Sequence, residues 1–255
     1  MLFPETKEKT VVIFDLDGTI TPSKSPVDSE MSQLLERLIE KKYVAIISGG
    51  PWKQFEKQLL SHLDIPREKL SNLILCPTSG SSMFQFEDGE MRNIYRQDLT
   101  AEEKQKILDA FEYALPKGGY EKPAQTYGET IEDRGSQISF SALGQEAPLE
   151  IKSRWDPDKS KRLKIVPFLK EKIPEFEARV GGTSTIDITR KGIDKAYCIR
   201  KISERLNIPI EKMVFVGDAL FEGGNDEAAR ASGIECLAVR DPEETKTLIR
   251  ELTIE

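Results

Sequence analysis

The chain has 255 residues, 38% of them hydrophobic and 32% charged, with a net charge of −7. That length suits one large domain or two modest ones. No apolar run approaches the ~20 residues needed to cross a bilayer, and the acidic balance argues against a general nucleic-acid binder, which needs a basic face, though a local cationic pocket for a small anion remains open. No basic stretch followed by an apolar segment opens the sequence, so no secretory signal is expected. Cys76, Cys198 and Cys236 are scattered in apolar surroundings and read as reduced core residues, which points to the cytoplasm. The single histidine, His62, reads as a helix-face residue, so acid–base or metal chemistry falls to carboxylates.

In chain order, residues 11–14 read as a buried strand that runs into "DLDGT". "SPVDSEMSQLLERLIEKK" has helical spacing, with Leu34, Leu35, Leu38 and Ile39 on one face. "YVAIIS" is a second buried strand ending at Ser48-Gly49-Gly50, and "PWKQFEKQLLSHL" a helix that opens on Pro51. "NLILCPTSGSSMFQF" reads as strand, turn, strand, which completes a β-α-β-α-β order and implies a parallel sheet covered by helices.

The character changes at the hairpin signal Asp88-Gly89. An amphipathic helix follows, with Thr100 and Glu103 spaced as a capping box. "TIEDRGSQISFSAL" and "ARVGGTSTIDITR" each read as a strand, and "DPDKSKRLKIVPFLKEKI" as a helix capped by Asp156. This mixture predicts an antiparallel sheet with helices on one face. The first character returns near residue 193, with a helix, the strand "KMVFVGD", a helix closed by Gly233, the strand "ECLAV" and a final helix. The fold class is therefore α/β: a Rossmann-like parallel-sheet core, residues 1–87 and 191–255, interrupted by an inserted α+β cap, residues 88–190.

The strand ends carry the chemistry. In open parallel sheets, ligands sit outside the carboxyl ends of the strands. Asp15 and Asp17 follow one strand, Ser48 and Gly49 another and Asp218 a third, while Lys195 begins a helix just before the third. Such a set of carboxylates suits Mg²⁺, which takes a few carboxylates together with water and phosphate. Asp15 is placed to attack phosphorus, Asp17 to move protons, and Ser48 and Lys195 to hold phosphoryl oxygens.

These residues resemble the haloacid dehalogenase superfamily: "DLDGT", "IISGG", Lys195 and "GDALFEGGND" match its four motifs in order. The resemblance implies Asp15 as nucleophile, Asp17 as general acid/base, and Mg²⁺ held by Asp15, the Asp17 carbonyl and Asp218, with Asn225 and Asp226 completing the fourth-motif loop. An insertion between the second and third motifs resembles the large-cap branch, subfamily IIB. Within that branch "DGTITPSK", "RGSQISFSALGQ" and "GGTSTIDITRKGIDKAYC" are similar to segments of the eukaryotic-type phosphomannomutases. That likeness implies Lys24, Gly49, Arg134, Gln145, Thr185 and Asp187 as substrate-binding positions, with Lys152 or Arg154 as a further cation and a homodimer formed through a cap that closes over the site. Lys24 and Gln145 stand where that family has arginine, and neither grips phosphate with arginine's bidentate fork. The sequence thus favours hydrolysis of a small phosphorylated sugar, with isomerisation of mannose 6-phosphate and mannose 1-phosphate second. A non-catalytic sugar-phosphate sensor or a receiver-like signalling domain stands behind both.

Overall fold

The computed structural model describes Thr6 and residues 8–253. Most of the opening stretch read above for a secretory signal, and the last two residues of the expected final helix, lie outside them. The chain divides into two compact units: Gln97–Gly192 is one, and the residues on either side of it make up the other.

The discontinuous unit is built on a seven-stranded sheet in the order β11-β10-β1-β2-β3-β4-β5. Its strands are β1 (Val11–Asp15), β2 (Tyr43–Ile47), β3 (Leu73–Cys76), β4 (Ser82–Glu87), β5 (Glu90–Arg96), β10 (Met213–Gly217) and β11 (Glu235–Ala238). The five from β11 to β3 run parallel, and β4 and β5 add antiparallel edges. Alternation sorts their side chains onto two faces. Val12, Phe14, Val44, Ile46, Val214 and Val216 pack with Leu34, Leu35 and Leu38 of α1 (Ser29–Lys41) and Leu248 and Ile249 of α7 (Pro242–Thr253). Val11, Ile13, Ala45, Ile47, Met213 and Phe215 pack with Cys198, Ile199 and Ile202 of α6 (Lys195–Leu206). Burial on both faces explains the unbroken apolar runs of these strands. No helix among the described residues is long and apolar enough to cross a membrane.

The chain leaves β1 toward β2 on one side and returns to β10 on the other, so the order reverses at β1, the switch point where open α/β sheets bind ligands. The expected helix after Ser48-Gly49-Gly50 is shorter than its pattern: α2 covers Trp52–Gln58, and a tight turn at Leu60–His62 follows. The segment ending at Gly233 is likewise a tight 3₁₀ turn, Glu227–Ser232, and not an α-helix.

The inserted unit has a four-stranded antiparallel sheet in the order β6-β7-β9-β8. Each segment read as one strand is a hairpin: β6 (Ile131–Asp133) with β7 (Ile138–Ser141), and β8 (Phe176–Gly181) with β9 (Thr185–Arg190). Ile138, Phe140, Ile186 and Ile188 face Ile107 and Phe111 of α3 (Ala101–Lys117) and Ile165 and Leu169 of α5 (Ser160–Lys172). The Thr100 capping box forms as expected, with Glu103 returning a bond of 2.7 Å to the Thr100 amide. A further short helix, α4 (Leu149–Trp155), lies where the pattern showed none. Arg190 closes the unit on itself: it donates to the carbonyl of Asp98 at 2.9 Å and to Glu103 at 2.6 Å, so its last strand is tied to its first residues.

The boundaries fall at 96/97 and 192/193, where the sequence suggested 87/88 and 190/191. The Asp88-Gly89 turn is real, with both residues at positive φ, but it joins β4 to β5 inside the first sheet. β5 is mostly exposed, and that polar edge character reads like a change of domain.

Candidate active site

Asp15 ends β1 fully buried among apolar strands, which is the costliest place for a carboxylate. Its neighbour in space is Lys195. Asp194 caps α6 by accepting from the Tyr197 amide at 2.8 Å, and this sets Lys195 as the first helical residue. The buried Lys195 ammonium donates to both Asp15 and Asp226 and lies 5.4 Å from the centre of the Phe215 ring. Burial pushes the Asp15 carboxyl up to about 8; Lys195 opposes the rise and the charge of Asp226 adds to it. For Lys195, burial works against the charged form, but the two carboxylates outweigh it and hold the amine protonated well above the usual lysine range.

The fourth-motif loop folds back on itself. Asp226 accepts from the Ala219 amide at 2.9 Å, and its own amide donates to the Ala219 carbonyl at 3.2 Å. This brings Asp226 beside Asp15 and Asp218, and one carboxylate oxygen from each of the three lies within 4.8 Å of the other two. Asp218 is half-buried and its carboxyl is raised, by burial first and by Asp226 second, with the Thr19 hydroxyl opposing. Thr19 braces this end of the sheet: it donates to Asp218 Oδ1 at 3.1 Å and accepts from the Asp218 amide at 3.0 Å. The glycine of "DLDGT" is required here. Gly18 has φ +88°, and a Cβ on it would stand 2.5 Å from Asp218 Oδ2. Asn225 is exposed beside this loop.

Ser48 is buried at the end of β2, and its Oγ accepts from the Gly50 amide at 3.1 Å, so its own proton can be donated onward. Gly49 is half-buried next to it. The Asp17 carboxylate accepts from Gln54 Nε2 at 2.6 Å, the Lys24 amide at 2.6 Å and Gln58 Nε2 at 3.3 Å. The Lys24 side chain is exposed, and its backbone is left-handed at φ 58°.

In the inserted unit the polar sheet face gathers the other predicted residues. Arg134 donates to Glu132 at 2.7 Å and to Gln145 Oε1 at 3.5 Å, and lies 3.8 Å from Asp187. Asp187 accepts from Ser139 at 2.6 Å, and Thr185 donates to the Gly181 carbonyl at 2.7 Å. Lys152 and Arg154 differ in burial and in partners. Lys152 is buried and donates to the Gln145 carbonyl at 2.7 Å, whereas Arg154 is exposed and pairs with Glu150. Arg162 ends the basic stretch "KSRWDPDKSKR", is not singled out by any motif, and is 1% exposed. It donates to Asp156 at 2.7 Å and to the carbonyls of Gly181, Gly182 and Thr185 at 2.8 to 3.3 Å, so it holds the β8–β9 turn that carries Thr185. Asp156 also accepts from the Lys161 and Arg162 amides at the start of α5, close to the capping role read for it.

A match to the haloacid dehalogenase-like hydrolases spans residues 12–226. The chain belongs to this family. Among its relatives, the phosphomannomutase of Encephalitozoon cuniculi is 26% identical over 254 residues, covering 93% of this chain and 91% of the relative. That of Saccharomyces cerevisiae is 27% identical, covering 96% and 95%. The fold is similar to that of the trehalose-6-phosphate phosphatase C-terminal domain of C. albicans, with a TM-score of 0.63 at 18% identity over 99% of this chain and 96% of that one. It is also similar to the Plasmodium falciparum IMP-nucleotidase, with a TM-score of 0.70 at 16% identity over 96% of this chain and 68% of that one. As a haloacid dehalogenase-like hydrolase the chain is an enzyme acting on phosphate substrates.

Proposed function

We propose that this enzyme moves a phosphoryl group between positions of a hexose phosphate through an aspartyl-phosphate on Asp15, as a phosphomannomutase interconverting mannose 6-phosphate and mannose 1-phosphate. The observation that carries this reading over simple hydrolysis is the end-to-end likeness to phosphomannomutases, which runs through the inserted unit as well as the catalytic one.

In the first step an Asp15 oxygen attacks phosphorus and the bond to the leaving sugar oxygen breaks, with Asp17 giving that oxygen a proton. In the second step a sugar hydroxyl attacks the acyl phosphate, Asp17 takes its proton, and the Asp15 carboxylate is released. Lys195 and Ser48 hold phosphoryl oxygens that gain charge in each transition state. Arg134, Lys152, Thr185 and Asp187 recognise the sugar and its non-reacting phosphate.

The residues fit a divalent cation. Three carboxylates stand around one ammonium, so their full ionisation leaves two negative charges in excess, and Asp15 Oδ2 is buried with no hydrogen-bond partner. Hard oxygen donors of this kind suit Mg²⁺. Asp15, Asp218 and the Asp17 carbonyl would hold it, with Asp226 closing the set. When bound, it supplies charge neutralisation for the phosphate and for Asp15. Chelation should therefore abolish turnover and Mg²⁺ restore it. Mg²⁺ should also raise the unfolding temperature of the wild type and not that of Asp218→Asn; equal shifts in both would remove Asp218 from the metal site.

Hydrolysis of a sugar phosphate is the second reading, favoured by Gln145 and by the exposed Lys24 at positions where the relatives' family has arginine. Phosphorus NMR with Mg²⁺, mannose 1-phosphate and a trace of hexose 1,6-bisphosphate separates the two. Growth of mannose 6-phosphate supports the mutase, inorganic phosphate alone supports the phosphatase, and neither signal rejects both substrates. Gln145→Arg sets a second guanidinium beside Arg134, so it should tighten binding of a hexose bisphosphate about tenfold. Calorimetry showing unchanged or weaker binding would take Gln145 out of the phosphate-binding set. The same reading carries a cytoplasmic homodimer formed through the inserted unit, where Leu149, Ile151 and Leu163 are exposed; sedimentation velocity tests it.

A further inference from the structure

Three donors meet the Asp17 carboxylate, and none of them is charged: two side-chain amides and one backbone amide. The side-chain pair, Gln54 and Gln58, lies at the i, i+4 spacing that puts both on one face of α2. Two features mark that face as built for the contact. Gly50 leaves room for Gln54, because a Cβ there would stand 1.8 Å from Gln54 Oε1. Gln58 is buried and spends both amide hydrogens, on Asp17 and on the Ser25 carbonyl at 2.9 Å, while its buried Oε1 has no hydrogen-bond partner. A buried acceptor left unpaired is unfavourable, so the amide is turned by what its hydrogens reach.

We propose that Gln54 and Gln58 are positioning residues for the acid/base: they hold the Asp17 carboxylate so that its proton is aimed at the leaving oxygen and then received from the incoming hydroxyl. This rests on the reading of Asp17 as the acid/base. The main-chain carbonyl of Gln58 also accepts from the Val27 amide at 2.8 Å, so the loop that bears Lys24 is fastened to the same helix. One face of α2 thereby sets both the proton-transfer group and the segment that presents Lys24.

Gln54→Met keeps the length of the side chain and removes its hydrogens. The probe is p-nitrophenyl phosphate with Mg²⁺, whose leaving group needs no proton. First-turnover release of nitrophenolate, followed by rapid mixing, should stay near wild type. Steady-state turnover, which needs the second proton transfer, should fall roughly 10- to 100-fold with KM within about threefold. Gln58→Met should show the same split to a smaller degree. Burst and steady state falling together, or neither changing, would overturn the proposal. A crystal structure of Gln54→Met should show Asp17 in more than one orientation, and a single unchanged orientation would also overturn it. If the wild type turns over no phosphate ester, the reading of Asp17 fails by itself, and the crystal structure still decides whether the glutamines hold the carboxylate.

Discussion

Asp15→Asn should lose turnover by roughly 10⁴-fold or more and, without Mg²⁺, gain stability. The two effects share one cause. Asparagine cannot form an acyl phosphate, so the covalent step has no nucleophile. Its Oδ1 can still accept from Lys195, as Asp15 Oδ1 does. The other oxygen of Asp15 is buried without a partner and lies in a cluster with Asp218 and Asp226. Above about pH 8, where Asp15 is ionised, an uncharged amide there removes a desolvated charge and its repulsion, and the advantage fades as the pH falls and Asp15 takes up its proton. The gain should be about 1 kcal/mol, or about 2–4 °C in a chain of this size, since stored strain of this kind is common where function sets the residue. Saturating Mg²⁺ should cancel or reverse the advantage, because the wild type then regains its counter-charge. Scanning calorimetry with and without the ion reads both signs. A variant that is less stable than wild type without Mg²⁺ would mean that Asp15 is already well satisfied by Lys195 alone, and residual turnover near wild type would remove it as nucleophile.

Arg162→Met should destabilise the inserted unit by about 3–5 kcal/mol, the range for breaking one side of a buried ion pair. It leaves Asp156 buried without its cation and the carbonyls of Gly181, Gly182 and Thr185 without a shared donor. Trp155 sits beside Tyr120 in this unit, so in a Trp52→Phe background urea unfolding followed by fluorescence reports on it alone. Removing Asp156 as well, as Asp156→Leu, should recover part of the loss, because the orphaned charge goes with it. A double variant whose loss equals the sum of the singles would deny the coupling. The looser β8–β9 turn should raise KM for a hexose phosphate, while p-nitrophenyl phosphate, which has no sugar to recognise, is turned over at close to the wild-type rate.

What could be read from the chain follows from how each interaction is encoded. β1, β2 and β10 are short, wholly apolar and closed by acidic or small residues, so both the strands and the chemistry at their ends are local patterns. α1 and α3 carry their face and their cap in consecutive residues. The hairpins β6–β7 and β8–β9 were harder, because Arg134-Gly135 and Gly181–Ser184 are not the Asn-Gly or Asp-Gly pairs that signal a tight turn. The pairs that orient the site are illegible for a different reason. Gln54 with Asp17 and Lys195 with Asp226 join residues through the fold, and no period or spacing announces them. A hint did exist for the glutamines, whose i, i+4 spacing on the helix after a strand end picks out one face.

The clasp formed by Arg190 bears on how the chain is assembled during synthesis. β1 must wait for β10, about 200 residues later, before the aspartates and Lys195 can meet. The inserted unit is continuous in sequence, Gln97–Gly192, and can fold as soon as it has emerged. Once Arg190 has fastened its end to its beginning, the remaining chain sees a short bridge in place of a long floppy segment. The closure entropy saved is roughly 2–3 kcal/mol, so the insertion acts as an internal splint for the unit that it interrupts.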